Sequence, residues 1–136
     1  MYLVKTIFMM KELTIIFLFI WIMPSIYAQN QTQKDDNSYE KNYYHKIKII
    51  SQTESIIKVI VEELKENHFE KNEQVKSLVT EAFKALFKGE KFQKQYLQDA
   101  KVQKWKNAFF NAEAYWQQQV KAADLLLQAK KILKAD

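Results

Sequence analysis

The chain has 136 residues, a formal net charge of +5, no cysteine, one proline and one glycine. That leaves room for one domain and excludes disulfide stapling, thiolate nucleophiles and thiolate metal ligands. All 21 basic residues are lysine, so the bidentate arginine contacts to phosphate and guanine are missing and nucleic acid is not an expected partner. A single glycine also rules out a Gly-rich phosphate loop, and with it ATP hydrolysis and Rossmann-type cofactor binding, so no cofactor is expected.

Residues 1–28 have the pattern of an export signal. Lys11 precedes an apolar run from Leu13 to Met23, Pro24 and Ser25 end it, and Ile26-Tyr27-Ala28 offers a small residue at the cleavage point. Cleavage is expected between Ala28 and Gln29. Met10 is a possible alternative start. The competing reading is an uncleaved membrane anchor. As a helix, residues 13–28 reach roughly 24 Å, short of a hydrocarbon core of about 30 Å, and Pro24 interrupts them. Once the signal is removed, nineteen lysines face fifteen acids, a net charge of +4. The expected location is outside the cytoplasm, periplasmic or secreted.

Residues 29–38 hold no apolar side chain and read as a flexible polar N-terminus. Asn30-Gln31-Thr32 is formally a glycosylation sequon, a short pattern that arises often by chance.

The rest, 39–136, reads as one all-α helical domain. With so few breakers the chain predicts long helices and very few turns. The first helix is expected over about 39–66, with Ile50, Ile57, Val61 and Leu64 on one face. Asn67-His68 marks the turn. A short middle helix is expected over 72–88, capped by Asn72 and stopped by Gly89 as a left-handed C′ residue. It buries Val75, Val79, Ala82, Phe83 and Leu86. A long C-terminal helix follows over 90–134, with Val102, Trp105, Phe109, Ala112, Trp116, Val120, Ala123 and Leu127 in steps of three and four. Propensity dips near Asp99 and Asn107 are candidate kinks. The expected architecture is a three-helix hairpin or bundle with a short middle helix. No fixed-period repeat suggests a solenoid.

Unequal lengths shape the functional expectation. A C-terminal helix of about 45 residues, roughly 67 Å long, would outrun both neighbours. Tyr96, Ala114, Leu125 and Ile132 fall nearly opposite its main stripe, and Phe110 and Tyr115 lie at the margin. Together these six form the candidate partner surface.

Candidates for chemistry resolve into structural roles. His45 and His68 have no His or Cys at ligand spacing, and neither the Glu-x-x-His of di-iron bundles nor H-E-x-x-H occurs, so no metal site is expected. Glu62, Glu63, Glu66, Glu70 and Glu73 alternate with Lys58, Lys65 and Lys71 as a solvated face does. No serine sits in a nucleophile elbow. Basic residues alternate with aromatics between Lys101 and Trp116, but most of those aromatics share the core stripe.

The expected function is therefore an exported, non-enzymatic helical interaction subunit or adaptor of a cell-envelope or secreted assembly, bound to a protein partner or to itself. The alternatives are a membrane-associated protein held by an uncleaved N-terminal helix and a small secreted effector or inhibitor.

Overall fold

The computed structural model describes residues 36–135. The signal segment 1–28, the Ala28–Gln29 cleavage point and the polar stretch up to residue 35 lie outside the described residues. Three helices account for nearly all of the rest: α1 Asp36–Glu66, α2 Glu73–Lys101 and α3 Trp105–Ala135, with one 3-10 turn, Phe69–Lys71, between the first two. The described residues contain no strand. Short connections make the three helices run up, down and up.

The helices are nearly equal, at 31, 29 and 31 residues, or about 45 Å each. This corrects the expected short middle helix and overlong last one. The chain runs through Gly89 as helix and breaks at 102–104 instead. There Gln103 takes a left-handed conformation, φ 58°. Its N–H donates to the Ala100 carbonyl at 3.1 Å, and the Lys104 N–H donates to the Asp99 carbonyl at 2.9 Å. This pair of bonds is the Schellman C-cap, built on glutamine where glycine is usual. The break falls between the two anticipated kink sites. The Asp99 carboxylate braces it, accepting from Gln95 Nε2 at 2.9 Å and from Asn111 Nδ2 across the turn at 3.1 Å.

The other connection follows the expected plan. His68 is left-handed at φ 55°, and Asn72 caps α2 with its Oδ1 accepting from the Val75 N–H at 3.1 Å. Helix α1 begins earlier than expected, taking in Asp36–Ser38.

Helix α3 is the shared partner. Backbone approaches within 8 Å join it to both other helices, whereas α1 and α2 scarcely approach each other at that distance. Small side chains permit this closeness. Ala108, Ala112, Ala122, Ala123 and Ala129 of α3 are wholly buried. Large aliphatics fill the space toward the α1–α2 turn, where Ile57, Ile60, Leu64, Val75, Val79 and Leu126 form one cluster. Toward the α2–α3 turn the filling is aromatic: Tyr43, Tyr96, Phe109, Tyr115 and Trp116.

Gly89 is buried where α2 crosses Tyr115. A Cβ placed on it would meet Tyr115 Cδ2 at 3.1 Å and Gln118 Cβ at 3.3 Å. Close approach, and not chain reversal, is this glycine's role. Gly89→Ala would trade a helix-propensity gain of about 1 kcal/mol against that squeeze, so its stability in urea should stay within about 1 kcal/mol of the parent protein. Gly89→Leu overpacks the same gap and should lose about 1–3 kcal/mol. Full stability with leucine would show that the two helices do not meet there.

Candidate functional site

Helix α1 presents Tyr43, Lys46, Ile50, Thr53, Ile57, Ile60 and Leu64 in alternating steps of three and four, and all seven are buried. Two of these positions are polar. Helix α3 answers with Glu113, Trp116 and Gln119, also buried. The result is a polar seam inside the α1–α3 interface.

Lys46 is 1% exposed, and its ammonium lies 4.6 Å from the centre of the Trp116 ring, a cation–π distance. Trp116 Nε1 donates to Thr53 Oγ1 at 3.0 Å, and that hydroxyl donates to the Ile49 carbonyl at 2.8 Å. Gln119 Nε2 donates to the Ile50 carbonyl at 3.3 Å. Glu113 supplies the opposite charge. Burial pushes the Lys46 ammonium below its ordinary value and the Glu113 carboxyl above its own. In each case the other member of the pair pulls part of the way back.

An ammonium and a carboxylate in an apolar setting are acid–base groups in kind. Here they are closed off by the helices themselves. An open depression of about 530 Å³ does exist, lined by Asn37, Glu40 and residues 103–107. It sits at the bundle end and neither seam charge lines it. An ion pair, Lys130–Glu63, ties the same two helices near the opposite end. Glu63, expected on a solvated face, is only half-exposed because α3 brings Lys130 against it.

The six residues expected to form a partner surface are mostly internal. Tyr96 and Tyr115 are buried, stacked edge-on at 5.9 Å between centroids. Burial raises both hydroxyl pKa values. Leu125 and Ile132 pack against the aliphatic core, and Ala114 is half-buried. Only Phe110 is exposed, at 38%, and it stacks on Tyr39 and Phe109. The correction follows from helix length. With α2 continuing to Lys101, it covers the side of α3 that a short middle helix would have left bare.

The bare surface lies on α2 itself. Phe83, expected in the core, is 45% exposed, Phe87 is 73% exposed and Leu97 is 49% exposed. Val102, also expected in the core, is 62% exposed at the turn. Both histidines are exposed. Among the described residues no group of three or more His, Cys, Asp or Glu is placed to hold a metal ion, and no helix is long and apolar enough to cross a membrane. Comparison with protein-family models, curated proteins and solved structures gives no match.

The seam makes a pairwise prediction. Removing one buried charge strands the other, so Lys46→Met or Glu113→Leu alone should each cost about 3–5 kcal/mol, while the double variant should recover most of the loss. Denaturant melts of all four proteins measure this, and additive losses would refute a coupled pair. A pH series adds a sign. The folded protein holds the Glu113 proton more tightly than the unfolded chain does. This group's stabilising contribution is therefore complete at low pH and falls as pH rises from the ordinary carboxylate range through the raised value. Glu113→Gln should remove that part of the slope.

Proposed function

We propose that this chain is an exported, non-enzymatic helical protein that serves as an interaction subunit or adaptor of a cell-envelope or secreted assembly, and that it meets its protein partner through the outward face of α2. The leader-like composition of residues 1–28 supports export. One observation carries the interaction reading: Phe83 and Phe87, one helical turn apart and pointing away from the core, are exposed together with Leu97 on the same side. Adjacent large apolar side chains on an outer helix face are what a contact surface looks like.

The charge around them supports an acidic partner. At 100° per residue, Lys76, Lys84, Lys91 and Lys94 fall within about 60° of Phe87, against Glu73 and Glu90 as the acids of that arc. All four lysines are exposed. A second copy would set lysines against lysines. A partner with an apolar strip and an acidic border fits the face better.

A photo-crosslinking residue in place of Phe87, in cells expressing the full chain, tests the reading. The expected product is a defined adduct with another protein whose crosslinked peptide is apolar and acidic. It should be absent from a control at exposed Gln117 and lost when Phe83 is also replaced by serine. Because Phe83 and Phe87 contribute little to the core, Phe83→Ser and Phe87→Ser should shift stability by no more than about 0.5 kcal/mol. An adduct between two copies, or none beyond the control, would overturn the assignment.

A further inference from the structure

The end of the bundle that holds the α2–α3 turn has a different surface from the α2 face. Here α1 begins, α2 ends and α3 begins. Tyr44 and Trp105 stack at 5.6 Å between centroids, with Tyr44 57% exposed and Trp105 half-buried. Val102 adds exposed aliphatic surface. Lys41, Lys101, Lys104 and Lys106 belong to the same end, all exposed. Among the described side chains of this end, the acids are Glu40 and Asp99. Asp99 is buried and engaged by Gln95 and Asn111.

We infer that this end docks on an anionic lipid surface. Tyrosine and tryptophan, each with an apolar body and a polar tip, suit the headgroup layer. Lysines at the border meet lipid phosphates as point charges, a task that needs no arginine fork. Val102 supplies the shallow apolar insertion that peripheral binding adds to charge attraction. The chain path favours lipid as the occupant. Residues before Asp36 join the bundle at this end, and the apolar run ending at Met23 precedes Asp36 by 12 linking residues, a reach of at most about 45 Å. If that run engages a membrane before cleavage, this end of the bundle is the one nearest to it along the chain.

The test is sedimentation of the protein recovered from cells expressing the full chain, with mixed phosphatidylglycerol–phosphatidylcholine vesicles and with pure phosphatidylcholine vesicles. Binding should favour the anionic vesicles and weaken with salt. Replacing Lys101, Lys104 and Lys106 together by glutamine should weaken it about a hundredfold, at roughly fivefold per lysine, with helical circular dichroism retained. Val102→Ser should weaken it further. The Phe83→Ser/Phe87→Ser variant should bind vesicles normally, which separates this surface from the protein-docking face. Equal binding to neutral vesicles, or undiminished binding by the lysine-free turn, would overturn the inference and leave the α2 assignment standing.

Discussion

The structure depends on how closely α3 can approach two neighbours at once. A helix between two others needs small side chains where the backbones come near, and α3 supplies a series of wholly buried alanines. Helix α2 reciprocates with Gly89 against Tyr115. At that spacing the remaining gaps are too narrow for further bulk, so the large side chains collect where α1 and α2 stand apart. The split into an aliphatic end and an aromatic end reflects which large residues α1 and α3 bring to each level. The matched helix lengths follow too, since α2 gains by continuing for as long as α3 offers surface.

The polar seam is the exception within this packing. Burying Lys46 and Glu113 costs desolvation at both groups, and their mutual attraction offsets it only while both are present. Trp116 links the pair to the rest of the interface. Its ring faces the ammonium and its indole N–H bonds Thr53. Such a seam keeps its opposite charges and its Trp116–Thr53 bond together in one register of α1 against α3. A shift by one turn would leave charges against alanine or isoleucine. The seam thus serves specificity of pairing more than strength.

Several features were legible in the amino-acid pattern. Helical class, the Asn72 cap, the turn at His68 and the stripe through Ile50, Ile57 and Leu64 all rest on local rules that tertiary packing did not overrule. Gly89 misled because glycine reads alike as a helix stop and as a point of close approach, and only the presence of Tyr115 distinguishes the two. The true stop was hidden because glutamine occupies its left-handed position. Hydrogen bonds to Ala100 and Asp99, with the Asp99 brace, sustain a conformation that residue type alone does not announce. Lys46 and Thr53 do fall on the heptad steps of α1, so the seam left a trace, but a lysine on a core stripe reads as solvated until its partner across the interface is known. The misplaced partner surface was a consequence of the Gly89 error. Once α2 ended early, Tyr96 passed to the wrong helix and Tyr115 appeared uncovered.

Everything else in the bundle follows from α2 running unbroken past Gly89, which buries Tyr115 and turns Phe87 outward. The absence of native cysteine makes a spin-label distance clean to measure. Lys76→Cys and Gln98→Cys place two labels on exposed sites of one helix face, 22 residues apart and on opposite sides of the glycine. A continuous helix predicts a narrow distribution centred near about 33 Å between backbone positions. A much shorter or broad distribution would mean that the chain turns or hinges at Gly89, and the arrangement of three matched helices would fall with it.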